Sequence, residues 1–164
     1  GDDPELNPAG QKPHWTKIVL DSRLRVPLNA ALFKRFKTMI ATTTKAPAQK
    51  IRRLEKQGVE VVVCPLKNNQ VDLMSLLKKL GQREIANLLI EGGAHVIGSA
   101  LNEQAVDRIL TVIAPKILGD QRALSAVSGL NILDVNRAVR VDVEETRQIG
   151  GDWIFEGTVL YSQR

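Results

Sequence analysis

Apolar residues fall along the 164-residue chain in short, nearly continuous runs, set between stretches where they recur every three or four positions. The runs Trp15–Asp21, Thr38–Thr43, Val59–Pro65, Ile85–Ile90 and Ile109–Ala114 predict strands, rich in Val, Ile and Leu on both of their faces. Between them Ala48–Gln57 reads as a helix, with Ile51 and Leu54 on one side among basic residues and Gly58 as its stop. Leu73–Leu80 follows Asp72 as N-cap, its apolar positions 73, 76, 77 and 80 on one face, and Gly81 closes it. Ala94–Asn102 is a third helix, which Gly98 weakens without forbidding. Strands apolar on both faces and alternating with helices predict an α/β chain with a parallel sheet covered on both sides.

The tail changes period. After an irregular stretch from Pro115 to Asn136, Val139–Val143 and Trp153–Tyr161 alternate apolar with polar, and Gly150-Gly151-Asp152 separates them, predicting an antiparallel hairpin at the end of the sheet. At the other end Gly1–His14 holds three of the seven prolines and reads as a loop, leaving residues 15–164 as one folded domain.

Composition narrows the class without naming a function. With 43% hydrophobic and 25% charged residues the chain is neither disordered, collagenous nor a disulfide scaffold. Lys+Arg 23 against Asp+Glu 18 leaves a net charge of +5, spread along the sequence, which suits anionic small ligands; a nucleic-acid-binding module needs a clustered basic face. One cysteine, Cys64, allows no internal disulfide and favours a reducing compartment. No apolar run reaches the length of a membrane span and no signal peptide precedes the polar start, so the expected location is cytoplasmic, with no membrane partner.

Ligands of open α/β sheets bind at the carboxyl ends of the parallel strands. The residues there include Asp21 and Ser22, Thr42 to Lys45, Cys64, and Glu91-Gly92-Gly93 ahead of the third helix. In the last of these, two glycines let a ligand approach the backbone, the helix start offers free N–H groups to a phosphate, and a carboxylate lies alongside. The same three residues also suit a turn that only packs a helix on a sheet. Ser22 with Arg23 and Arg25 pairs a hydroxyl with two guanidinium groups, a set that fits a dianion such as a cofactor 2′-phosphate or simply a solvated loop; Thr42–Lys45 invites the same two readings. His14 and His95 stand far apart without a Ser/Asp arrangement, so a hydrolase triad has no support. Cys64 ends an apolar strand and reads as an inert buried thiol, Trp15 and Trp153 as core or sheet anchors, and no metal motif is present.

Several motifs agree in order with one family. Asp2-Asp3-Pro4-Glu5-Leu6, Ile18-Val-Leu-Asp-Ser22-Arg-Leu-Arg-Val-Pro27, Gly58-Val-Glu-Val61, Leu89-Ile-Glu-Gly-Gly93, Val106-Asp107, Ile113-Ala-Pro-Lys-Ile-Leu-Gly119 and Gly151-Asp152 resemble the reductase domain of the bacterial bifunctional riboflavin-biosynthesis protein RibD. The resemblance covers essentially the whole chain. It implies a dihydrofolate-reductase-like three-layer α/β/α sandwich, its sheet mostly parallel with a C-terminal antiparallel hairpin. It further implies NADPH-dependent reduction of the ribosyl group of 5-amino-6-(5-phosphoribosylamino)uracil to the ribitylamino product, in a homodimer.

Carried over position by position, the resemblance makes Asp2, Ser22 and the run Gly93, Ala94, His95, Val96, Ile97, Gly98 and Ser99 cofactor contacts. It makes Leu6 and Glu91 substrate contacts, with Glu91 the catalytic candidate that orients or polarises the sugar. Two departures accompany it. Where the family continues Asp-Asp-Pro-x-Leu with Thr-Val-Arg, this chain has Asn7-Pro8-Ala9, so the substrate-contacting arginine has no counterpart there. The family's opening strand, helix and second strand are absent, as is the zinc deaminase signature, so the resemblance implies an N-terminally truncated reductase without deaminase activity. A scaffold that binds a nucleotide or a partner chain without turnover is the other reading.

Overall fold

Three of the expected strands, β1 (Lys17–Leu20), β2 (Thr38–Thr43) and β3 (Glu60–Cys64), form a parallel sheet in the order β1-β2-β3. They belong to the first of two compact units, residues 1–86 and 87–164, in a computed structural model that describes residues 15–33 and 37–161. The loop expected at residues 1–14, with Asp2, Leu6 and His14, lies outside the described residues.

β2 is buried along its whole length because both of its faces are covered. Met39 and Ala41 pack with Val62, Cys64 and the α2 (Leu73–Gly81) residues Leu76 and Leu80. Ile40, one step out of phase, packs on the other side with Leu24, Val59 and Leu54 of α1 (Ala48–Lys56). A period of two thus sends alternate side chains to two separate clusters, as the continuous apolar run predicts. Each fully buried side chain of this size contributes about 1.5–3 kcal/mol.

Helix ends fix the connections. Gly58, at φ +81°, closes α1 in a Schellman motif: its N–H donates to Glu55 O and the Val59 N–H to Leu54 O. Asp72 caps α2 by accepting from the Ser75 N–H. Gly81 remains inside α2, and Glu84 takes the left-handed position at φ +61°, with its N–H on Gly81 O and the Ile85 N–H on Leu80 O. A two-residue ladder, β4 (Leu66–Lys67) with β5 (Gln70–Val71), turns at Asn68-Asn69, both at positive φ, as a type I′ hairpin requires.

The second unit holds α3 (Ala94–Asn102) and the strands β6 (Arg108–Ile113), β7 (Arg140–Ile149) and β8 (Asp152–Leu160), ordered β6-β8-β7 and antiparallel throughout. The expected hairpin is present. β7 runs six residues beyond its expected end at Val143, because Glu144 is the extra residue of a β-bulge and shifts the alternation there. Gly157 sits opposite the bulge, where a Cβ would lie 2.9 Å from the Asp142 carbonyl carbon. One face of this sheet carries Arg108 bridging Glu144 and Glu156, and Arg147 bridging Glu145 and Glu156. The other lines an apolar cleft of about 670 Å³ through Ile109, Val141 and Val159, facing Leu101 and Leu133.

Two expectations are corrected. Ile109–Ala114 is a strand, but it pairs antiparallel with β8 and is no member of the parallel sheet. Apolar content reports burial and says nothing of strand direction. Ile85–Ile90 forms no strand: these residues take part in no ladder, and Leu89 is 78% exposed. An apolar run becomes a strand only where a neighbouring backbone supplies its hydrogen bonds.

Candidate functional site

At the carboxyl ends of β1 and β2 the chain builds a rim. Asp21 N–H continues the ladder to Ala41 O, and its carboxylate then accepts from the Arg23 and Val26 N–H groups at 3.3 and 2.8 Å, folding Ser22–Arg25 into a tight loop. Leu24 enters the left-handed region at φ +54° and is buried, so it plugs the loop into the core while Arg23 and Arg25 stay exposed on either side.

The threonines of β2 hold this loop from beneath. Thr42 Oγ1 donates to Asp21 O at 2.7 Å and Thr43 Oγ1 to Ser22 O at 2.6 Å, both from fully buried side chains. Their donors are therefore committed inward, which corrects the reading of Thr42 and Thr43 as phosphate partners. Lys45 completes the rim, its ammonium on Asn69 Oδ1 at 2.9 Å. Ser22 is half-buried and lies with Arg23, Arg25 and Lys45 in the first unit.

In the second unit Glu91-Gly92-Gly93 leads directly into α3. Gly92 has φ +151°, a conformation that L side chains rarely adopt, and the Gly92–Gly93 peptide is cis. Gly93 is the N-cap of α3 and has no side chain to fill that role. Its carbonyl accepts from the Val96 and Ile97 N–H groups at 2.9 and 3.2 Å, so the amides of Ala94 and His95 have no partner among the described residues. A Cβ built at Gly92 or Gly93 would meet no atom within 4 Å. The turn is therefore open, with two free donors at the positive end of a helix dipole, a combination that binds phosphate. The Glu91 carboxylate is exposed and makes no ion pair or hydrogen bond among the described residues.

A strap from the irregular stretch after β6 crosses α3. Ser128 N–H donates to Ala94 O at 3.1 Å, Ser128 Oγ meets His95 Nδ1 at 3.0 Å, and Asn102 Nδ2 donates to Gly129 O at 3.0 Å. Gly98 permits this approach, since a Cβ there would overlap the Ser128 carbonyl oxygen. The glycine inside an otherwise regular helix was the available signal, because such a residue marks close passage of another backbone. His95, though exposed, is consequently bonded to this strap.

Cys64 is buried and free, and burial pushes its thiol above the ordinary range, which agrees with an inert residue. Trp15 and Trp153 are 39% and 45% exposed, so neither is a core anchor, whereas Trp153 does hold a sheet position in β8, between Ile113 and Gln148; the Lys17 ammonium stands 5.8 Å from the Trp15 ring centroid. No helix among the described residues is long and apolar enough to cross a membrane.

Known proteins provide the frame for these features. The family described as the RibD C-terminal domain matches residues 1–155. The riboflavin biosynthesis protein RibD of Actinobacillus pleuropneumoniae is 38% identical over 97% of this chain, which spans 43% of that protein. A 2,5-diamino-6-ribosylamino-4(3H)-pyrimidinone 5′-phosphate reductase of Methanothermobacter thermautotrophicus is 33% identical over 96% of the chain and 74% of its own length. Among solved structures, Acinetobacter baumannii RibD superposes with a TM-score of 0.73 at 24% identity, over 87% of this chain and 37% of that one. The chain thus spans about two-fifths of the RibD proteins it matches. Its fold is α/β and dihydrofolate-reductase-like, with parallel strands and a C-terminal antiparallel hairpin. From the match over residues 1–155 and the archaeal relative covered along most of its length, the chain belongs to the RibD C-terminal domain family.

Proposed function

We propose that the chain is an NADPH-dependent reductase that converts the ribosylamine of 5-amino-6-(5-phosphoribosylamino)uracil to the ribitylamine, a step of riboflavin synthesis. The observation that carries this reading is the open Gly92-Gly93 turn with two unpartnered amides, directly after the Glu91 carboxylate. The amides of Ala94 and His95 suit the cofactor pyrophosphate, within a Gly93–Ser99 segment that the family resemblance makes the cofactor seat. Ser22, with the guanidinium groups of Arg23 and Arg25, suits the 2′-phosphate that separates NADPH from NADH.

Bound NADPH supplies a hydride to C1 of the ring-opened imine form of the substrate, whose nitrogen takes up a proton. Glu91 orients or polarises the sugar beside C1, so that the acceptor carbon is held in a reactive geometry. Asp2 and Leu6 complete the cofactor and substrate contacts by family resemblance. A homodimer in the cytoplasm completes the proposal. Its support is the half-exposed apolar surface of β6 and the hairpin, with Leu110, Val112, Ile149 and Trp153.

Titration with NADPH, followed by energy transfer from tryptophan to the nicotinamide, tests the reading. Saturable binding, weakened by Ser22→Ala and left unchanged by Glu91→Gln while turnover collapses, is the expected pattern; absence of saturable binding overturns it. Non-catalytic nucleotide binding is favoured by Asn7-Pro8-Ala9 in place of the family's arginine. It predicts binding without NADPH consumption in the presence of the phosphoribosylamino substrate.

A further inference from the structure

The strap over α3 does more than cover the helix, because one of its groups is bonded to a side chain in the first helical turn. Positions 95, 98 and 102 share one helical face by their three- and four-residue spacing. Ser128 and Gly129 cross that face, fixed at Ala94, His95 and Asn102 and seated on Gly98. Of the two nitrogens of His95, Nδ1 is engaged by Ser128 Oγ at 3.0 Å, and Nε2 has no partner among the described residues. His95 is exposed, and its own amide is one of the two unpartnered donors at the turn.

We propose that Ser128 is a positioning residue for cofactor binding: its hydroxyl donates to His95 Nδ1, which keeps the neutral ring's proton on Nε2 and orients that N–H as a further donor to an anionic oxygen. The hydrogen bond at one ring nitrogen decides which tautomer the other presents. The role rests on the reading of the α3 start as the pyrophosphate seat, whereas the tautomer itself does not depend on it. Ser128→Ala removes only the hydroxyl, since the strap's main-chain bond to Ala94 O survives.

The test combines a spectrum with a double-mutant cycle on the full chain. The chain has two histidines, so a His14→Gln background leaves only the His95 ring in the imidazole ¹⁵N spectrum. At pH 8 the Nε2–H tautomer is expected, a mixture in Ser128→Ala, and the parental pattern again in Ser128→Thr. Ser128→Ala and His95→Ala each weaken NADPH binding about three- to tenfold, a single hydrogen bond's worth, and the double variant is no weaker than His95→Ala. Multiplying effects, or a tautomer indifferent to Ser128, overturn the proposal. If the unaltered chain fails to bind NADPH, the cofactor reading falls and the positioning role with it. The ring spectrum then still reports whether Ser128 sets the tautomer.

Discussion

Alanine in place of Gly98 puts two opposing effects in one residue, and the structure decides which dominates. In an exposed helix interior this change stabilises by about 0.8–1 kcal/mol, because glycine pays more backbone entropy. At Gly98 the new methyl would overlap the Ser128 carbonyl oxygen and lie 2.9 Å from its carbon, both of them backbone atoms that cannot rotate away. Overpacking of this kind costs roughly 1–3 kcal/mol. Relief by lifting the strap loosens three hydrogen bonds, Ser128 to Ala94, Ser128 to His95 and Asn102 to Gly129, each contributing roughly 0.5–1.5 kcal/mol. With the helical gain subtracted, overpacking leaves a loss of about 0–2 kcal/mol and lifting the strap about 0.5–4 kcal/mol, so Gly98→Ala is expected to destabilise by up to about 2 kcal/mol. Gly81, in the last turn of α2, is the control: a Cβ there meets nothing within 4 Å, so Gly81→Ala is expected to stabilise by up to about 1 kcal/mol. Urea unfolding followed by helical circular dichroism, compared at a common slope, measures both. A Gly98→Ala chain as stable as its Gly81→Ala counterpart refutes the close approach of the strap.

Thr42→Val removes a buried hydroxyl and leaves the Asp21 carbonyl without that donor, so a loss of about 1–3 kcal/mol is expected in the same assay, together with weaker NADPH binding as the rim loosens. Glu144 accepts from Thr158 and pairs with Arg108, which holds its carboxyl below the usual glutamate range. A lowered folded value means its contribution is intact above the unfolded value, roughly pH 4.3, and is lost as pH falls from there through the folded one. Acid unfolding of Glu144→Gln should therefore show a shallower limb below about pH 4.3, and an unchanged limb would contradict the assignment. The raised and buried Cys64 thiol should stay unreactive toward a disulfide reagent at pH 8 until the chain is unfolded, which absorbance of the released thiolate records. Replacing Arg23 and Arg25 by glutamine should weaken NADPH several-fold while leaving NADH nearly unaffected, as paired titrations would reveal.

Local patterning carried the first unit well. The runs around β1, β2 and β3 and the spacing in α1 and α2 all reappear, and Gly58 and Asp72 cap as their types require. Pairing is a different matter, because it depends on which backbone lies alongside. Ile85–Ile90 has the composition of a buried strand and no ladder, and β6 has the composition of a parallel strand and an antiparallel partner. At the candidate site, Glu91-Gly92-Gly93 was visible as a glycine turn before a helix. The strap from Ser128 to Gly129 was not, since it comes from an irregular stretch some thirty residues away whose only local trace is the absence of a side chain at Gly98. Thr42 and Thr43 misled because a hydroxyl at a strand end looks the same whether it points outward or is used up on a neighbouring carbonyl.

The buried Leu24 gives the Ser22–Arg25 loop an unusual independence. Its course is set from inside, by one apolar side chain, by the Asp21 carboxylate on main-chain amides and by carbonyls held from β2, while the side chains of the two arginines make no hydrogen bond or ion pair among the described residues. Residues 23 and 25 thus behave like interchangeable bits on a fixed handle: their charge can be altered with the mounting undisturbed. If the proposed reductase function holds, dinucleotide preference is tuned there without renegotiating the fold.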